Sequence, residues 1–279
     1  MTMIKKIITG ISRHPTKFLL ALVFGYTALW TFLEPLFTIL EIKPTGYNCW
    51  YLISYILISF IISFIVIYPK RKVKFNLTNT NTKVEINFGD LFKSEGHKVI
   101  SASEYFDSKI GKPVSPKSLQ GIFIEKILGG HTNIFDDAVN TQLAGQEIET
   151  IQRVDGKSLK YELGTTITIK HNESLYFLFA LANADKDCNA SSTPSLMLKA
   201  LEGLWNKVRI EGNGIDINLP LIGNGLSRVG LPPSQLLQLT LISLLKSAKE
   251  KDLSSTIRIV LTEDIFDKID LEIIKNNWE

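Results

Sequence analysis

Residues 215–230 read Ile-Asp-Ile-Asn-Leu-Pro-Leu-Ile-Gly-Asn-Gly-Leu-Ser-Arg-Val-Gly, and residues 231–246 continue Leu-Pro-Pro-Ser-Gln-Leu-Leu-Gln-Leu-Thr-Leu-Ile-Ser-Leu-Leu-Lys. The first stretch is an apolar strand running into a glycine-rich turn. The second has apolar residues at helical spacing behind Pro232 and Pro233, which suit a helix start. Strand, glycine loop and helix N-terminus together make a place for phosphate. Glycines let amide groups approach an anion without a Cβ in the way, and the helix start offers unpaired N–H groups and a favourable dipole.

Upstream, the soluble pattern alternates strands and helices. Lys83–Phe88 and His97–Ala102 read as strands, residues 119–128 as a short helix, and residues 129–163 as a loop-rich insertion. Thr165–Lys170 and Ser174–Leu181 form a hairpin pattern across His171-Asn172-Glu173. Pro194–Arg209 has helical spacing with Ser192 or Thr193 as its cap, and Thr256–Leu261 closes a mixed α/β domain over residues 83–279, one domain by size. Residues 73–82 are rich in Asn and Thr and read as a linker.

The overall hydrophobic share of 45% conceals an uneven distribution. From Trp50 to Tyr68 no residue is charged, and at about 1.5 Å per residue such a run crosses most of a ~30 Å hydrocarbon core. An earlier run from Phe18 reaches Glu34-Pro35 and resumes through Leu40. Residues 1–72 are therefore expected to form a transmembrane hairpin, with spans at about 18–40 and 47–68. Trp30, Tyr47, Trp50, Tyr51 and Tyr68 lie near the expected interfaces. Lys5, Lys6, Arg13 and Lys17 precede the first span, and Lys70, Arg71, Lys72 and Lys74 come after the second. This bias places both termini in the cytoplasm of a multi-pass protein of the bacterial cell membrane. No small-residue site ends the first apolar run as a cleaved signal peptide requires.

Other chemistry finds little support. His14, His97, His131 and His171 lack partners at metal-ligand spacing, and Cys49 and Cys188 form neither a disulfide framework nor a metal motif. No nucleophile elbow is present. The cluster from Lys70 to Lys74 is explained by topology and anionic headgroups, and a net charge of +3 does not point to nucleic acid. Glu34 fits a position near the outer headgroups. Ser59 and Ser63 share a helix face, where they bond either across helices or back to their own carbonyls.

The strand ending in Gly89-Asp90-Leu91-Phe92, the second strand entering Val99-Ile100-Ser101-Ala102-Ser103, and the late Pro220–Gly230 loop resemble a macro domain. SEYFDS at 103–108, VSPKSLQG at 114–121 and YELGTT at 161–166, behind two apolar runs, resemble the membrane-anchored macro-domain effectors of type II Thoeris anti-phage systems. The resemblance implies a macro-like mixed sheet flanked by helices. It also implies binding of an ADP-ribose derivative without a further cofactor. Asp90, followed by Leu91 and Phe92, would accept a hydrogen bond from the adenine amino group. Ser101, Ser103, Glu104 and Asp107 would lie at the distal ribose. Ser118, Leu119, Gln120 and Gly121 would form a first diphosphate loop, and Gly223, Asn224, Gly225, Leu226, Ser227 and Arg228 a second, with Arg228 neutralising phosphate charge.

Where many macro domains carry Asn at the distal ribose, this chain has Ser101-Ala102-Ser103, so no catalytic residue and no enzymatic activity are expected. An ADP-ribosyl hydrolase and an inert membrane scaffold are the alternatives. The resemblance further implies a TIR-domain partner that makes the nucleotide signal from NAD, a homo-oligomer in the lipid bilayer, and membrane disruption ending in cell death or arrest.

Overall fold

A computed structural model describes residues 3–40 and 50–279. Two compact units divide it, one built on residues 1–71 with 270–272, the other on residues 72–269 with 273–279.

The first unit is helical: α1 (Met3–Arg13), α2 (Pro15–Ile39) and α3 (Trp50–Val66). Helix α2 runs through Pro35 to reach 25 residues. Among the described residues it is the one helix long and apolar enough to cross a membrane. Helix α3 is apolar but only 17 residues long. The beginning of the expected second span, with Tyr47, Cys49 and the connection at 41–49, lies outside the described residues. Helices α2 and α3 pack where Gly25 meets Ser59. Ser59 Oγ donates to the Tyr55 carbonyl at 2.7 Å and Ser63 Oγ to that of Ser59 at 2.8 Å. Of the two arrangements expected for these serines, back-bonding is the one found.

The second unit begins with strand β1 (Lys72–Asn76), followed by β2 (Lys83–Phe88) and β3 (His97–Ser103). Then come α4 (Leu119–Ile122), which continues as a π-turn over Phe123–Ile127, and α5 (Thr132–Gln142). A small hairpin, β4 (Glu149–Thr150) and β5 (Leu159–Lys160), precedes β6 (Thr166–His171), β7 (Ser174–Ala184) and β8 (Ala190–Ser191). Then come α6 (Pro194–Glu211), β9 (Ile217–Pro220), α7 (Pro233–Glu250) and β10 (Thr256–Leu261), and last α8 (Leu271–Trp278), whose residues from Ile273 on belong to this unit. Residues 73–82 are therefore no linker: Val73, Phe75 and Leu77 are buried in alternation with outward polar residues, and β1 pairs antiparallel with β2. The insertion at 129–163 likewise contains α5 and the β4–β5 hairpin.

The sheet order is β1-β2-β10-β9-β3-β7-β6, with β8 on β7. Strands β2, β10, β9, β3 and β7 are mutually parallel, and β1 and β6 close the edges antiparallel. One face carries Ile100, Ile167 and Leu178 against Phe123, Phe135 and Val139. Phe177 and Phe179 alternate onto the other, where α6 packs on β7 and α7 on α6. Thr193 caps α6 by accepting from the Leu196 N–H. The buried Asn218 is fully engaged, donating to the carbonyls of Glu95 and His97 and accepting from Arg258 Nη1 at 2.7 Å.

Candidate functional site

In an open parallel sheet, the loops leaving the carboxyl ends of the strands converge on one edge, and a crevice forms there. Here that edge holds a cavity of about 610 Å³, within the range of small-molecule sites. The strand ends and their exit loops build its wall: Gly89–Phe92 after β2, Ser101–Ser103 at the end of β3, Leu181, Ala182 and Ala184 on β7, Pro220–Ser227 at and after the end of β9, and Val260 and Thr262 around β10.

At one end, Asp90 caps a short 3₁₀ turn over Leu91–Lys93, its Oδ1 accepting from the Phe92 N–H at 3.0 Å. Among the described residues, no hydrogen bond engages its Oδ2. The glycine loop forms the roof. Gly223 has φ of +85°, and a Cβ there would stand 2.9 Å from Val229 Cγ2 and 3.0 Å from Leu236 Cδ2, so both backbone and packing require glycine. Gly225 has open space where its Cβ would be. Among the described residues, none of α7 lines the cavity. Pro233, at the first helical position, has no N–H to offer. The loop thus lines the cavity without the helix start.

Opposite lies the loop before α4. Ser118 caps that helix through the Gly121 N–H at 3.0 Å and donates to the Ser115 carbonyl at 2.6 Å. A Cβ on Gly121 would collide with the Ser115 carbonyl at 2.2 Å. Gly121 therefore serves close packing behind the wall. Gln120 Nε2 donates to the Asp107 carbonyl at 2.6 Å.

The far end is set by a kink. Register with β7 shifts between Ala102 and Ser103, a bulge that re-aims the next residues. Phe106 then adopts φ of +46° and buries its ring edge-on to Tyr161. This geometry separates two neighbouring carboxylates. Glu104 points away from the cavity, where Oε1 accepts from the Ala184 N–H at 3.2 Å and Oε2 faces Lys160 at 3.7 Å. Burial raises its pKa above the ordinary carboxylate value, against the pull of that N–H, Lys160 and Arg153. Asp107 lines the cavity, yet its carboxylate accepts from Arg153 Nη1 at 3.0 and 3.2 Å, from the Lys157 N–H at 2.7 Å and from Ser103 Oγ at 3.3 Å.

The structure thus gathers Asp90, Leu91, Phe92, Ser101, Ser103, Asp107, Ser118, Leu119, Gln120 and Gly223–Ser227 around one cavity, and leaves Glu104, Gly121 and Arg228 outside its lining. Arg228 closes the loop instead, its N–H donating to the Gly225 carbonyl at 3.3 Å with φ of +49°. Sequence reasoning missed Lys117 and Lys126, both in the wall. Lys126 lies seven residues after Leu119, a spacing that shares a helix face. Among the described residues no group of three His, Cys, Asp or Glu is arranged to hold a metal.

The family described as Thoeris protein ThsA, Macro domain, matches residues 84–262. The curated Thoeris protein ThsA of Bacillus amyloliquefaciens strain Y2 is 24% identical over 186 residues, covering 63% of this chain and 60% of that relative's length. Among solved structures, the Oceanobacillus iheyensis macrodomain with ADP aligns at a TM-score of 0.52 and 15% identity, covering 74% of this chain and 96% of that one. A mutant of the same macrodomain with ADPR gives a TM-score of 0.52 at 15% identity, covering 74% and 98%. At such identity these likenesses speak for the fold.

Proposed function

The chain belongs to the Thoeris ThsA macro-domain family, and on that premise we propose that its cavity binds an ADP-ribose-type nucleotide signal and that the protein acts as a membrane-held defence effector. The observation carrying this reading is the single groove running from Asp90, a carboxylate acceptor suited to an adenine amino group, past the Gly223–Ser227 backbone, to Ser103 and Asp107. Lys117 and Lys126 add positive charge to the same wall. The macrodomain solved with ADP and with ADPR shares the fold, which supports the same ligand class.

In this reading a TIR-domain partner makes the signal from NAD, and the occupied domain favours an assembly of apolar hairpins, formed by α2 and α3, that disrupts the membrane and stops phage production. The signal must bind one assembly state better than the other, because equal affinity for both shifts nothing. We read the site as a receptor rather than a hydrolase. Ser101-Ala102-Ser103 stands where hydrolytic macro domains place asparagine, and Ser103 Oγ is committed to Asp107.

Cells carrying the protein and its TIR-domain partner test the proposal. Protection against phage is expected to vanish with Asp90→Ala, and mass spectrometry of molecules retained on wild-type protein is expected to find an ADP-ribose conjugate. Undiminished protection by a folded Asp90→Ala protein would count against it, as would turnover of ADP-ribosylated substrate.

A further inference from the structure

Helix α1 precedes the membrane-length helix and is absorbed by neither the span nor the binding site. On a wheel of about 100° per residue, Met3, Ile4, Ile7, Ile8 and Ile11 share one face, with Lys5, Lys6, Thr9, Ser12 and Arg13 on the other. Such a helix in a water-facing protein turns its apolar stripe inward. Here Met3 and Ile4 are each 71% exposed and Ile8 is 60% exposed.

The docked flank lies beside this apolar arc, at Gly10 and Lys6. Gly10 is buried against the end of α3, where a Cβ would stand 2.5 Å from the Ile67 carbonyl oxygen. Lys6 Nζ sits 5.6 Å from the centre of the Tyr68 ring. Ile8 lies about 160° around the helix from Gly10 and Ile4 about 120°. The contact that docks α1 on its own unit therefore leaves Ile4 and Ile8 outward, with Ile7 and Ile11 half-buried toward the docked flank. The chain then bends at His14, between the helices, and α2 starts at Pro15.

We infer that α1 is an in-plane membrane anchor whose isoleucine face seats in the headgroup–acyl boundary of a bilayer containing anionic phospholipid. Two observations select that occupant over a protein partner. Residues 1–33 contain Lys5, Lys6, Arg13 and Lys17 and no Asp or Glu; Lys17 pairs with Glu272 at 2.6 Å, and the segment as a whole is basic and complementary to anionic headgroups. The apolar face is also continuous in sequence with α2, whose own surface is almost entirely unburied, so the same hydrocarbon would cover both. The inference rests on the membrane reading proposed above.

The test uses the full chain with Cys49 and Cys188 replaced by serine and an environment-sensitive fluorophore on a single cysteine at Ile8, Lys5 or Phe24. The protein is reconstituted into vesicles of phosphatidylcholine, with or without phosphatidylglycerol. Phe24, 75% exposed on α2, reports whether the span itself is in lipid. The expected result is blue-shifted emission at Phe24 in both vesicles, a comparable shift at Ile8 that grows with phosphatidylglycerol, and water-like emission at Lys5. A lipid-like Phe24 with a water-like Ile8 would overturn the anchor alone. Water-like emission at both would overturn the anchor together with the membrane reading. A shift at Ile8 indifferent to phosphatidylglycerol would overturn the anionic preference.

Discussion

Arg153 Nη1 lies 3.0 Å from Asp107 Oδ2, joining the insertion between α5 and β6 to the far end of the cavity, and neither side chain is exposed to solvent beyond 3%. The guanidinium also stacks over Tyr105 at 4.0 Å. Gly156 completes the arrangement: its φ is +96°, and a Cβ there would stand 2.5 Å from Asp107 Oδ1. The insertion is thus strapped to the site by an ion pair reaching across 46 positions of sequence.

Breaking this pair from either side leaves a buried charge behind. Asp107→Ala and Arg153→Ala are each expected to lower unfolding free energy by about 3–5 kcal/mol. The double change Asp107→Ala with Arg153→Ala should lose clearly less than the sum of the two single ones. Urea titrations completing the cycle check this, and simple additivity would mean that the pair is not coupled.

The ion pair also marks the limit of what the sequence discloses. Each strand of the parallel sheet announces itself through a short apolar run, and Asp90 and the glycine loop come directly after strand ends. Strand β1 is not legible in the sequence, which reads there as a linker: Val73, Phe75 and Leu77 alternate with Lys72, Lys74 and Asn76, but the Asn-Thr tail masks the period. Helix α5 showed only Phe135 and Val139 as its buried pair. The separation of Glu104 from Asp107 was not legible. It depends on the bulge at Ser103 and the left-handed backbone at Phe106, which arise from packing against β7 and Tyr161 rather than from local preference.

The two loop glycines should respond differently. Gly223→Ala meets both a left-handed backbone and a crowded site, and is expected to cost about 1–3 kcal/mol. Gly225→Ala meets open space and should stay within ~0.5 kcal/mol of wild type, while its new methyl narrows the cavity and weakens ADP-ribose binding. Denaturation and calorimetry on both variants distinguish the two roles.

Positive charge in the cavity wall comes from Lys117 and Lys126. Replacing either by alanine is expected to weaken nucleotide binding about threefold to tenfold, roughly 1 kcal/mol, less so at high salt. Arg228→Ala should leave affinity nearly unchanged. A larger loss from Arg228 than from Lys126, measured at two ionic strengths, would reverse the assignment.

At the opposite end of the sheet, Glu85 is buried beneath Lys72, Lys74 and Arg258 at 2.6–3.0 Å. Burial alone would raise its pKa, but the three cations bring it from 4.5 down to about 2. A depressed carboxylate contributes stability above its unfolded value, lost as pH falls through the folded one. Wild type should therefore lose on the order of 2–3 kcal/mol between pH 4.5 and pH 2 through this group. Glu85→Gln should be less stable at pH 7 and flatter across that window, as acid-range denaturation curves can show.

The central claim is that the cavity anchored by Asp90 is a nucleotide receptor, and calorimetric titration of the full chain in detergent with ADP-ribose tests it most directly. Saturable binding at one site per chain is expected, weakened at least tenfold in Asp90→Ala, which loses a charge-assisted acceptor worth ~1.5 kcal/mol or more. No heat from folded wild-type protein, or equal affinity in Asp90→Ala, would contradict it.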